Sequence, residues 1–106
     1  MVSKAWKAVE KAVALYLGGK RMSNHALGLR TPDVESDWLS VECKSTKQLP
    51  FWLVKAMEQA ERNASADKLP IVVLHQKGWR HDKDLVVMRL SEFREHFGEV
   101  TCREEH

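Results

Sequence analysis

Only two cysteines, Cys43 and Cys102, occur in the 106 residues, which excludes a disulfide framework, and their spacing resembles no zinc site. Cys43 falls in the middle of an expected strand and reads as a small buried thiol. The five histidines are scattered without ligand spacing, which argues against a histidine metal cluster. No apolar run approaches the roughly 18 residues that cross a membrane. The opening MVSKAWKAVEKAV lacks the continuous apolar stretch and small-residue cleavage site of a secretory signal. A cytoplasmic protein without a membrane partner is therefore expected. Charge of one sign is also lacking: 17 basic residues against 15 acidic ones leave a net +2, too mild to establish a nucleic-acid partner by itself. There are no internal repeats, low-complexity tracts or linkers, so the expectation is one domain over residues 1–106.

What is there is an ordinary globular composition, 43% hydrophobic and 30% charged, with an uneven distribution of charge. Lys4, Lys7, Lys11, Lys20, Arg21 and Arg30 crowd the first third of the chain against few acids. That arrangement suits a phosphate backbone, and equally a solvated helix face. Residues 3–17 have helical spacing, with Ser3 as cap and Gly18-Gly19 as stop. Trp6, Val9, Val13, Tyr16 and Leu17 make the apolar stripe. Glu10 falls inside that stripe, where a carboxylate is costly unless something pairs with it. It either snorkels out at the stripe's edge or points toward a polar site inside the fold.

Residues 18–31 form a loop rich in glycine, polar and basic residues, with a short strand near Ala26. Thr31-Pro32-Asp33-Val34 turns into another short strand, and Glu35-Ser36-Asp37 has turn composition. Leu39 to Lys44 then alternates, so Leu39, Val41 and Cys43 face the core while Ser40, Glu42 and Lys44 share the opposite face. Pro50 suits the start of a second helix over residues 50–64, with Leu53, Ala56, Met57, Ala60 and Ala64 buried and Trp52, Lys55 and Gln59 on its flank. Residues 71–75 read as a central, doubly buried strand and residues 85–90 as another. Ser91 caps a last helix, Glu92 to Phe97, ended by Gly98, and the tail after about residue 100 frays. The order α-β-β-β-α-β-β-α predicts an α/β fold, a mixed central sheet flanked by helices.

The chemistry is carried by Pro32-Asp33, then eight residues, then Glu42-Cys43-Lys44. This resembles the signature of the PD-(D/E)XK nucleases, and with it a restriction-endonuclease-like core. An E-x-K triplet alone is alternating charge on a solvated strand, and P-D alone is turn chemistry. Their combination at a hairpin's separation is what carries the likeness. Two adjacent strands joined by a tight turn bring the Asp33 and Glu42 carboxylates together. With the Cys43 main-chain carbonyl they make an oxygen-only site suited to Mg2+, with Mn2+ as a substitute. Such an ion polarises a phosphate oxygen and lowers the pKa of a water. Lys44, on the same face, orients that water or offsets developing charge.

The resemblance further implies that Glu10, on the opening helix, assists as a metal ligand or catalytic carboxylate. The second helix supplies a polar residue in such proteins, for which Lys55 and Gln59 are the candidates, against their reading as plain exposed residues. The chain looks most like the minimal Holliday-junction resolvases of archaea and some phages, over residues 3 to about 90. That implies a homodimer acting on branched or duplex DNA in recombination, located in the host cytoplasm if phage-encoded. Lys20, Arg21 and Arg30 are expected to grip the backbone, joined by Lys47, Lys55, Gln59 and Arg80. The segment Gln76–Lys83 has no counterpart in the resemblance. It reads as a DNA-contacting loop around Trp79, or as a hairpin end. Trp6, Trp38 and Trp52 read as core or dimer contacts, and the apolar run Phe51–Val54 as a subunit interface. The alternatives are another nuclease of the same core, such as a nickase, repair or homing endonuclease, or a non-catalytic DNA-binding module.

Overall fold

The computed structural model describes residues 2–22 and 31–98, with side chains of the first helix from Lys7 onward. The chain is a mixed α/β protein in two compact units, Met1–Lys47 and Gln48–His106, and each is described by itself. Among the described residues no helix is long and apolar enough to cross a membrane.

In the first unit helix α1 spans Val2–Leu17. Ser3 therefore sits inside the first turn rather than capping it, because the helix already includes Val2. The stop is as expected. Gly18 takes φ 72, the Gly19 N–H donates to Ala14 O at 2.8 Å and the Gly18 N–H to Leu15 O at 3.4 Å. This paired closure satisfies two carbonyls that a helix end leaves orphaned. Three short strands follow, β1 (Lys20–Arg21), β2 (Val34–Glu35) and β3 (Ser40–Val41). They form one antiparallel sheet in the order β1-β2-β3, with Arg21 opposite Val34 and Val34 opposite Val41. The strand expected near Ala26 lies outside the described residues. The turn between β2 and β3 is closed by the Ser36 N–H on Leu39 O at 3.0 Å. Among the described residues of this unit, Val34 and Ala14 are the buried apolar ones. The helix and sheet meet closely enough that a Cβ on Gly19 would lie 2.9 Å from Val34 Cγ1.

In the second unit helix α2 spans Phe51–Asn63, with Pro50 at the cap position and its carbonyl accepting the Leu53 and Val54 N–H groups. Proline suits this boundary because its fixed φ costs nothing there and its missing N–H would lie outside the helix. Met57 is buried at the centre of the expected stripe, and α2 packs on β4 (Val72–Leu74), which pairs antiparallel with β5 (Leu85–Val87). The described strands thus form two small antiparallel sheets rather than one mixed sheet, since each strand pairs with a neighbour in sequence. β4 is not doubly buried. Val73 and Val86 face each other across the pair and are 55% and 56% exposed, because α2 covers one side only. Helix α3 (Leu90–Phe93) continues as a π-helical turn, Arg94–Gly98. Its cap position is Arg89, whose carbonyl accepts the Phe93 N–H, so Ser91 lies within the helix and does not cap it. The tail expected to fray lies outside the described residues.

Candidate functional site

Glu10 lies at the centre of the buried face of α1 and is 2% exposed. Its carboxylate does not snorkel; Oε1 accepts the Arg21 Nε–H at 2.8 Å. The Gly18-Gly19 stop makes this possible by turning the chain sharply back, so that β1 runs along the helix it has just left. A carboxylate sealed from water keeps its charge only with such a partner. Arg21, expected on a DNA backbone, is thus half-buried and turned onto Glu10.

Asp33 is the second buried carboxylate, 9% exposed. Its Oδ2 accepts the Cys43 main-chain N–H at 2.7 Å, a short, charge-assisted bond. The antiparallel pairing of β2 with β3 produces this link: with Val34 opposite Val41, the residue before Val34 comes beside the residues after Val41. The alternation read from the sequence is present in the burial pattern. Leu39, Val41 and Cys43 are half-buried, while Ser40, Glu42 and Lys44 are exposed. Glu42 and Lys44 thus lie just past the end of β3 on its solvent face, beside the residue whose N–H holds Asp33.

The Cys43 thiol reports the charge around it. Burial pushes its pKa up, and the negative charges of Asp33, Glu10 and Glu42 push it the same way. The three carboxylates named from the sequence therefore all act on one thiol, which stays protonated at neutral pH. Their oxygens are not drawn into a single cluster. Among the described residues, the sets whose ligand atoms all lie within 4.8 Å of one another are His75, His81 and Asp84, and Glu92, Glu95 and His96.

The other expected contacts are dispersed. Lys20 is exposed opposite Glu35 in the register, and Lys47 is exposed at the end of the first unit. Arg30 lies outside the described residues. Lys55, Gln59 and Arg80 belong to the second unit and are exposed; Lys55 Nζ sits 5.5 Å from the Phe51 ring centroid and Arg80 Nε 3.4 Å from Asp82. Trp38 and Trp52 are exposed rather than core, and the side chain of Trp6 lies outside the described ones. Phe51 is exposed with Trp52.

Sequence reasoning missed the grouping of His75, His81 and Asp84. The scatter of histidines along the chain hid that a hairpin folds two of them onto one aspartate. The signal was the spacing H-x5-H-x2-D between two apolar runs. Compared with known proteins, the chain matches no family model, no curated protein and no solved structure.

Proposed function

We propose that the chain is a Mg2+-dependent endonuclease of the PD-(D/E)XK type, acting on DNA as a homodimer and selective for branched junctions. One observation carries this reading: the buried Asp33 carboxylate is bonded to the main chain of Cys43 at 2.7 Å, with Glu42 and Lys44 exposed on either side of that residue. The donor set suits the ion. Mg2+ is commonly held by one or two carboxylates while keeping several waters, and Asp33 with Glu42 offers hard oxygen donors only. When bound, the ion would supply Lewis-acid polarisation of the phosphate and acidify a water.

The chain's own residues have distinct parts in this reading. The Cys43 N–H fixes the orientation of Asp33 through Oδ2. Glu42 offers its carboxylate from the exposed end of β3, open to a phosphate arriving from solvent. Lys44, two residues on, holds its ammonium toward the same face and offsets charge that develops on the phosphorus-bound oxygens. Glu10, balanced by Arg21, adds negative charge to the site. Lys20, Arg30 and Lys47 supply cationic contacts to the backbone.

The test is cleavage of a labelled four-way junction and of linear duplex with the same arms, in Mg2+ or EDTA, by wild type, Asp33→Asn and Lys44→Ala. Paired symmetric nicks that require Mg2+ and vanish in both variants are expected. Equal cutting of all substrates would remove the junction selectivity. Absence of cutting with DNA binding retained would replace the enzyme by a binding module.

A further inference from the structure

His75 follows β4, His81 opens a 3-10 turn (His81–Lys83), and Asp84 precedes β5. Two independent local rules bring them together. The register places Leu74 opposite Leu85, so one step outward sets His75 opposite Asp84. In a 3-10 turn, side chains three apart eclipse one another, which sets His81 over Asp84. The result is a carboxylate held at both oxygens: His75 Nδ1 lies 2.7 Å from Oδ1 and His81 Nδ1 3.1 Å from Oδ2. The imidazole rings lie beside each other in a tilted arrangement, 4.6 Å between centroids and 34° between planes. The Asp84 side chain is only 10% exposed, against 85% for His81.

We propose that His75, His81 and Asp84 form a binding site for a divalent transition-metal ion of the zinc class, joining the two ends of the loop between β4 and β5. The grouping is one of three candidate ligand atoms within 4.8 Å of each other. Two imidazole nitrogens and one carboxylate oxygen are a borderline donor set, which takes Zn2+, Co2+ or Ni2+ and leaves Mg2+ and Ca2+ to all-oxygen sites. Zinc bonds of about 2.0–2.2 Å in a tetrahedron set neighbouring ligand atoms about 3.3 Å apart. From 2.7 and 3.1 Å, the His75 contact has to open by about 0.6 Å and the His81 contact by about 0.2 Å, and the exposed His81 ring has room to turn. In the hydrogen-bonded state each Nδ1–H donates to the carboxylate. On metal binding each Nδ1 gives its lone pair to the ion while the ring proton resides on Nε2, so both imidazoles stay neutral. Water completes the coordination sphere, since the protein offers three ligands.

Asp84 is suited to the part. Its hydrogen bonds from His81 and His75 hold its carboxyl below the usual carboxylate range, and both of its oxygens face an imidazole nitrogen. The site is independent of the nuclease reading. It uses no residue of the first unit, and its ligand class differs from that of Asp33 and Glu42.

The test is Zn2+ titration of the full chain carrying Asp33→Asn and Glu42→Gln, which silences the acidic group around Cys43. Calorimetry would give the stoichiometry, Co2+ absorption the coordination geometry, and imidazole NMR the ligands. The expected result is one Zn2+ per chain, unaffected by excess Mg2+, with ring shifts confined to His75 and His81. His81→Ala and Asp84→Asn should each weaken binding by about tenfold or more, since even partners behind direct ligands are worth about that much. The exposed position of His81 keeps that variant folded, which its circular dichroism would verify. No saturable binding, shifts at His25, His96 or His106 instead, or affinity unchanged in both variants would overturn the proposal, leaving Asp84 as a hydrogen-bonded clamp between two histidines.

Discussion

The Arg21 guanidinium and the Glu10 carboxylate meet at 2.8 Å across the turn from α1 to β1, with Glu10 sealed from solvent. Removing the cation alone strands a buried charge. Arg21→Met should destabilise the chain by about 3 kcal/mol or more, whereas the Arg21→Met/Glu10→Met pair should recover most of that loss. Urea denaturation of the four variants checks the cycle. A double variant whose loss equals the sum of the Arg21→Met and Glu10→Met losses would show that the pair is not coupled.

Asp33 has a structural task besides any chemical one. Asp33→Ala leaves the Cys43 N–H without its acceptor and should cost about 1–3 kcal/mol. Asp33→Asn keeps an oxygen acceptor and should cost less than about 1 kcal/mol. Denaturation midpoints in that order would make Asp33→Asn the sound variant for cleavage assays. The reverse order would mean the N–H bond is replaceable by water.

Cys43 should resist alkylation at neutral pH, because burial and three nearby carboxylates raise its pKa. Glu42→Gln removes one of those charges and should speed the reaction, as read by mass spectrometry of the Cys43 peptide across pH. An unchanged pH profile in Glu42→Gln would mean that the Glu42 charge is screened by solvent.

The two glycines after α1 differ in what they need. Gly18→Ala should cost about 1 kcal/mol, because its φ of 72 disfavours a side chain while the space around it is open. Gly19→Ala should cost more, about 1–3 kcal/mol, since the new Cβ meets Val34 Cγ1 at 2.9 Å and the Glu35 carbonyl oxygen at 3.0 Å. Thermal unfolding of the two variants gives the order directly.

Acid should loosen the second unit through two carboxylates. Bonds from Arg89 hold Glu61, and bonds from His81 and His75 hold Asp84, below their usual ranges. A depressed folded pKa gives stability that is present above the unfolded value, about 4.3 for Glu and 3.9 for Asp, and is lost as pH falls through the folded value. Glu61→Gln should flatten the pH dependence of stability below about pH 4. The same slope in wild type and variant would assign the acid loss elsewhere.

Several of these features were legible in the sequence because they follow from short-range rules. The helix stop at Gly18-Gly19, the alternation from Leu39 to Lys44 and the stripe around Met57 each depend on neighbours in the chain. Glu10 could be flagged as anomalous on an apolar face, but its partner could not be named. Arg21 is one of several basic residues nearby, and only the registered pairing of β1 with β2 selects it. The separate sheets escaped for a related reason: the apolar run at 71–75 fits a strand covered on both sides as well as one covered on a single side. His75 and His81 escaped because their meeting depends on a hairpin register that apolar alternation alone does not fix.

The turn from Ser36 to Leu39 has a kinetic consequence. It brings Asp33 and Cys43 together across a gap of about ten residues, a loop that an unfolded chain closes in about 10–100 ns. Glu10 and Arg21 are separated by a similar distance along the chain. The acidic site therefore rests on contacts of low sequence separation, the kind that form fast. Its contacts draw only on the segment through Lys44, so they close without waiting for any pairing in the second unit.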